Sequence, residues 1–220
     1  MTPIIRTRPK SILLVEGRDD KYFIENLYKK KSPSLSVNIE LPKDIGAAAN
    51  GVDALLEMFD IVIQADEYDV VGIVIDADEG NRWMQVRELV KASGIEYDCP
   101  VSPNPEGTIV EPPYEEVPKI GIWIMPDNKS PGILEDFVRY LIPDDDKLIP
   151  YAEKILDEIE AANCHRYRKH RSKAFIHTWL AWQKLPGTPM GQAITEKTLT
   201  ADAQQAQIFM NWLQTLFSPT

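Results

Sequence analysis

Along the first 140 positions the apolar residues alternate between two periodicities. Residues 11–15 are a short apolar run, broken at Glu16-Gly17, and residues 19–31 follow with Tyr22, Phe23, Ile24 and Leu27 as the apolar content of a helix. Residues 37–41 alternate like a strand, while residues 51–64 place Val52, Leu55, Leu56 and Phe59 at helical spacing. Residues 70–75 form a nearly continuous β-branched run that ends in Asp76-Ala77-Asp78. Residues 81–93 resume the helical pattern until Gly94 stops it, and residues 120–125 are a further buried-strand candidate closed by Pro126. Apolar strands alternating with amphipathic helices predict an α/β fold: a parallel sheet covered on both faces, with right-handed crossovers.

Prolines 100, 103, 105, 112, 113 and 118 follow Cys99 closely. Proline cannot donate to a sheet ladder, so this stretch predicts a long surface loop with an edge strand at residues 108–111. Loops of this length are often functional, an ordered insertion being the plainer reading. From residue 144 the pattern turns helical, over residues 147–163, 168–183 and 202–217, with a Pro/Gly-rich connector at 185–191. Phe175, Trp179 and Trp182 fall at i, i+4 and i+7 and read as a core stripe, and His177 as a satisfied core histidine. The expected organisation is an α/β domain over residues 1–143 with a C-terminal helical extension, residues 144–220, packed on it.

Composition narrows the class. The 220 residues, 44% hydrophobic and 26% charged, suit a globular protein with a sizeable core. No apolar run approaches the roughly 20 residues that span a bilayer, and the N-terminal one is too short for a signal-peptide core. Two cysteines make neither a disulfide framework nor a zinc finger. The expectation is a cytoplasmic protein with no membrane contact. With 24 Lys+Arg against 34 Asp+Glu, the net charge is −10. Such a chain does not grip DNA by whole-surface attraction, and would handle nucleic acid only through a local basic patch or bound metal ions.

Three predicted strands end in acid. The first gives Glu16, then Asp19 and Asp20; the middle one gives Asp76 and Asp78; the last leads through Asp127 to Glu135 and Asp136 at the start of a short helix. Ligands of open parallel sheets sit beyond these carboxyl ends. Asp76 and Asp78, two apart on an extended chain, are expected to point the same way. Burying several carboxylates unpaired costs several kcal/mol each. A hard divalent cation with oxygen ligands, Mg²⁺ or Mn²⁺, relieves that cost. The plainer readings are a helix cap for Asp19 or Asp20, a turn at 78–80, and favourable helix-end charge for Glu135 and Asp136.

Ile12-Leu13-Leu14-Val15-Glu16-Gly17-Arg18-Asp19-Asp20 resembles the first motif of the Toprim domain, the catalytic fold of topoisomerases, primases and several nucleases. Ile73-Val74-Ile75-Asp76-Ala77-Asp78 resembles its Asp-x-Asp motif. The first motif is especially similar to that of the Toprim maturase of 5S ribosomal RNA. Gly132-Ile133-Leu134-Glu135-Asp136 is closer to the overcoming-lysogenisation-defect nucleases, whose Toprim domains bind two metals. The C-terminal stretch from Ser172-Lys173-Ala174 to Pro186-Gly187 resembles small stand-alone Toprim-like bacterial and archaeal proteins.

The resemblance covers about residues 10–140 and implies a Toprim-type, Rossmann-like open parallel sheet. It further implies Glu16 as general acid, base or metal ligand; Asp76 and Asp78 as Mg²⁺ ligands assisted by Asp20; and Glu135 reaching a second ion. One or two ions would stabilise the attacking and leaving oxygens of a phosphodiester displacement. The chain has no Gly-x-x-x-x-Gly-Lys-Ser/Thr phosphate loop, so any accompanying ATPase would be a partner.

Five of the 24 basic residues crowd into 165–173, a stretch with no acid. On a helix, Arg166, Lys169 and Lys173 would share a face and contact phosphates of DNA or RNA, with Lys173 stabilising the transition state. The plainer reading is a solvated face. The leading expectation is a Mg²⁺-dependent nuclease-type enzyme. Its rivals are a haloacid-dehalogenase-type phosphatase with Asp76 as nucleophile, and a non-catalytic metal-binding docking module.

Overall fold

A computed structural model describes residues 10–32, 34, 37–78 and 80–218; Glu79, in the expected turn, lies outside them. The α/β part runs β1 (Ser11–Val15), α1 (Arg18–Lys31), β2 (Ile39–Glu40), a 3-10 turn (Pro42–Ile45), α2 (Val52–Gln64), β3 (Val70–Asp76), α3 (Arg82–Ala92), β4 (Thr108–Val110), β5 (Lys119–Met125) and α4 (Leu134–Arg139). Helices α5 (Ile149–Ala161), α6 (Arg171–Ala181), α7 (Met190–Thr195) and α8 (Gln204–Phe217) follow. The sheet order is β2-β1-β3-β5-β4, parallel except for β4, which pairs antiparallel to β5 at the edge. The proline-rich stretch thus adds only a short edge strand, where missing N–H donors do least harm.

Strand residues point alternately to two cores. Ile12, Leu14, Val71, Ile73, Ile122 and Ile124 face α2 and α3. Leu13, Val15, Val70, Val74, Trp123 and Met125 face α1, α4 and all four C-terminal helices. The sheet is therefore apolar on both sides, as its continuous strand runs require. Trp123 anchors the second core, its ring edge-on to Phe209 at 4.8 Å and to Phe137 at 6.4 Å between centroids.

Helix α8 reaches the sheet because two glycines leave a furrow for it. Gly72 of β3 and Gly121 of β5 pair in register. A Cβ at Gly72 would stand 2.7 Å from Leu13 Cδ1 and 3.2 Å from Leu216 Cδ2, and one at Gly121 would collide with the Leu216 side chain. Glycine inside a strand here marks the close approach of another element.

The C-terminal half departs from the sequence reading in four places. Helix α6 starts at Arg171, and residues 164–170 are an irregular connector. The connector expected at 185–191 gives way at Met190 to α7, which packs on α1. A Cβ at Gly191 would lie 2.7 Å from the Tyr22 carbonyl oxygen, so this crossing also needs glycine. Phe175 and Trp179 are buried, but Trp182, just past the helix end, is 41% exposed. His177 is exposed and not in the core, because the buried side of α6 is taken by Phe175, Ile176, Trp179 and Leu180. Among the described residues no helix is long and apolar enough to cross a membrane.

Gly121→Val tests the furrow. Overpacking against Leu216 is expected to remove about 1–3 kcal/mol of stability in urea unfolding and to perturb the near-UV signal of the Trp123 cluster.

Candidate functional site

The strand order reverses sense between β1, whose connection leads outward to β2, and β3, whose connection leads the other way toward β5. Crevices at such switch points are where open α/β sheets bind ligands. Glu16 directly follows β1 and Asp76 ends β3, and the register Val15↔Val74 brings these two strand ends level. A cavity of about 410 Å³ opens there, lined by Glu16, Asp19, Asp20, Asp76, Glu135 and Lys173 among others. Acids from all three predicted clusters therefore share one cavity.

Each acid arrives by a local rule. Gly17, at the turn between Glu16 and α1, has extended backbone (φ −143°), which any residue adopts. Its contribution is space, since a Cβ there would stand 3.2 Å from Asp20 Oδ2. Asp20 takes the capping place in α1 and accepts a 3.0 Å hydrogen bond from Gly17 N. Glu135, in the first turn of α4, is buried and lies 3.2 Å from Lys173 Nζ of α6. Its neighbour Asp136 turns to structure, with Oδ2 accepting from Ile133 N at 2.9 Å and from Ser172 Oγ at 3.2 Å.

Glu16 Oε2 and Asp76 Oδ1 are buried with no hydrogen-bond partner. Burial pushes the Glu16 carboxyl up, Asp78 adds to the push, and Arg82 and Lys173 oppose it. Burial, then Glu16, drive Asp20 up to about 7. Burial, then Asp20, Glu16 and Glu135, drive Asp76 up to about 9. Lys173 is the counter-charge: burial works against its proton, but Glu135, Asp19 and Asp76 outweigh it and its pKa is raised.

Asp78 sits differently from Asp76. The extended alternation stops at Asp76, because Asp78 is left-handed (φ 50°) and bridges to Gly132. This corrects the expectation of two carboxylates side by side on a continuing strand. Asp78 is not among the residues lining the cavity; its Oδ2 pairs with Arg82 Nη2 at 2.9 Å, and His170 Nε2 is 4.0 Å from its Oδ1. Asp127 is structural: burial raises it, but hydrogen bonds from Ser130, Lys129 and Tyr140 prevail and hold its carboxyl below the usual range.

The basic stretch does not form one helix face. Arg166 and Lys169 lie on the connector, exposed and without partners among the described residues, while Lys173 alone is on α6. The helical arrangement fails because His170, just before α6, is left-handed (φ 59°). Arg171 is consumed by Glu153, Asp157 and Glu160, tying α6 to α5.

Among the described residues, no three His, Cys, Asp or Glu side chains are already gathered closely enough to hold a metal ion. The donor chemistry nonetheless fits a hard divalent cation. The donors are all carboxylate oxygens, and two of them are buried without a partner. Sequence reasoning passed over Arg82, the clamp on Asp78, and Asn50 and Gly51, which line the cavity from the turn before α2.

The raised carboxyls make stability fall with rising pH. Below about 3.8, Asp20 and Asp76 are protonated folded or unfolded and cost nothing. Above it the unfolded chain sheds protons that the folded one retains, and the loss continues until the folded values of about 7 and about 9 are passed. Urea unfolding of metal-free protein should therefore show stability decreasing from about pH 4 to about pH 9. Asp76→Asn should match wild type at the acid end and exceed it by a few kcal/mol at the alkaline end.

No curated protein and no solved structure matches the chain. The profile of one family, described as Protein of unknown function (DUF3226), matches residues 10–218, which span the sheet, the acidic cavity and all four C-terminal helices. The chain belongs to that family.

Proposed function

We propose that this chain is a Toprim-type protein carrying out Mg²⁺- or Mn²⁺-dependent phosphodiester chemistry on nucleic acid at the acidic cavity. The observation that carries the reading is the pair of buried, unpartnered carboxylate oxygens, Glu16 Oε2 and Asp76 Oδ1, at the ends of adjacent parallel strands. Left alone, such a pair is a net cost to the fold. A divalent cation held by the two carboxylates supplies the positive charge that stabilises the attacking and leaving oxygens of a phosphodiester.

Glu16 and Asp76 are the principal ligands. Asp20, Asp78 and Glu135 join only by giving up Gly17, Arg82 and Lys173 respectively, which favours one ion over two in the resting site. Burial and Asp78 raise the Glu16 carboxyl, so holding the cation means releasing a proton that this residue keeps more readily than an exposed glutamate does. Lys173, on the rim with a side chain 54% exposed, is placed to exchange Glu135 for an incoming phosphate. Arg166 and Lys169 extend the cationic track along the connector, and His170 brings that track to Asp78.

The test is cleavage of end-labelled single- and double-stranded DNA and RNA with Mg²⁺ or Mn²⁺. Glu16→Gln and Asp76→Asn should each lower the rate by about 100-fold or more, with far-UV circular dichroism unchanged. Activity that survives both substitutions overturns the site. Independently, Mn²⁺ should raise the melting temperature more at pH 8 than at pH 5.5, because binding must displace the protons on the raised carboxyls of Glu16 and Asp76. Equal shifts at the two pH values count against ligation by these carboxyls.

A further inference from the structure

The acidic cavity has a second cation on its wall, with no part in the chemistry above: Arg18 lines it as Lys173 does. The sheet order sets β1 and β2 on one side of β3, and β5 on the other. Arg18 opens α1, just after the turn that leaves β1. Lys173 stands against Glu135 of α4, the helix that follows β5. Asp76 ends β3, so the two cations flank it from opposite sides.

The two differ in what they already hold. Lys173 is engaged by Glu135, and with Arg82 it opposes the rise of the Glu16 carboxyl. Arg18 is exposed, and its side chain forms no ion pair or hydrogen bond among the described residues, although Glu16, Asp19 and Asp20 line the same cavity. A planar guanidinium left unpaired is free to grip an external anion with two donors. Asn50 adds a neutral donor on the same side. It lies between the 3-10 turn after β2 and α2, and its Oδ1 accepts from Lys43 N at 3.0 Å. Only the amide oxygen can meet a backbone N–H, so the amide nitrogen keeps its two N–H groups, with no partner among the described residues. Gly51 N donates to Glu16 O at 3.3 Å, which ties this loop to the turn that leads into Arg18. Gly51 itself lines the cavity, and a Cβ there would meet nothing within 4 Å, so this side has unfilled space.

We infer that Arg18 and Asn50 form a phosphate subsite on the β1 side of the acidic cavity, holding the strand where it leaves the floor opposite Lys173. Arg18 donates two hydrogen bonds to non-bridging phosphate oxygens, and the Asn50 amide donates a third. The identity of the anion as a nucleic-acid phosphate rests on the phosphodiester reading above. The subsite itself rests on an unspent guanidinium, a neutral donor and the space beside them. A strand held there and by Lys173 crosses the cavity, so the phosphodiester over Glu16 and Asp76 is fixed from both sides. A divalent cation on the floor reverses the local charge that would otherwise repel it.

The experiment measures binding of the full chain to fluorescein-labelled oligo(dT) dodecamers by anisotropy, across a range of KCl concentrations. Ca²⁺ is present throughout, as a hard cation that takes the same oxygen ligands. Arg18→Ala should weaken binding about tenfold and flatten the dependence of log Kd on log salt by about 0.7, one phosphate contact on a single strand. Arg18→Lys should restore the slope but only part of the affinity, because an ammonium lacks the guanidinium fork. Asn50→Ala should weaken binding about threefold with the slope unchanged, since an amide carries no charge. Lys30→Ala, which removes an exposed cation from the last turn of the same helix, should change neither. Affinity and slope unmoved in Arg18→Ala, affinity unmoved in Asn50→Ala, or an equal loss in Lys30→Ala overturns the inference. Thymidine monophosphate binding as tightly as the dodecamer overturns the crossing strand. Cleavage by wild type with Mg²⁺ beside an unmoved Arg18→Ala sinks this subsite alone; an Arg18-dependent slope without cleavage in Mg²⁺ or Mn²⁺ supports the subsite and sinks the metal chemistry.

Discussion

Carboxylates forced together where two neighbouring parallel strands end are the constraint on which this molecule turns. Parallel strands bring all their carboxyl ends to one edge, and the reversal of winding between β1 and β3 opens a crevice there. An acid placed at each strand end has no room to avoid the others. Burial and mutual repulsion hold Asp20 at about 7 and Asp76 at about 9, so the metal-free fold keeps protons where exposed carboxyls would have lost them. Under the proposed reading, those protons are what a divalent cation would displace.

The C-terminal helices contribute to that site as well as to the core. Through the Gly72–Gly121 furrow α8 closes one face of the sheet, and the aromatic cluster around Trp123 fixes α4 beside it. Helix α4 carries Glu135, and α6 carries Lys173, the cation that answers it. Arg171 then fastens α6 to α5. The acidic cavity therefore draws its wall from both stretches of the chain, the strand ends from the first and the counter-charge from the second.

Much of this was readable in the residues. The runs at 11–15, 70–75 and 120–125 named the central strands because a strand buried on both faces has few choices but Val, Ile and Leu. The acids after them named the site for the same reason: a charge directly after such a run stands out. What the sequence hid were pairings distant along the chain. The turn read at 78–80 leaves room for a left-handed Asp78, but nothing near it foretells the bridge to Gly132, and Arg82 looks like any first-turn arginine. Arg166, Lys169 and Lys173 would share a face only on a helix, and the helical pattern over 168–183 does not show that α6 begins at Arg171, after the left-handed His170. Gly72 and Gly121 sit inside the strand runs for a reason that only the partner helix, through Leu216, supplies.

Arg82 ties the end of β3 to Asp78. Its guanidinium holds the Asp76 carbonyl and the Asp78 carboxylate, and the residue also lines a cavity of about 410 Å³ beside Ala77. Drawing Asp78 toward a cation would free one arm of this guanidinium, and an anion beside Arg82 would compete for that same arm. A cation on Asp78 and an anion on Arg82 would thereby be energetically linked. Whatever factor one imposes on the other's affinity must be returned in equal measure, since linkage admits no one-way influence.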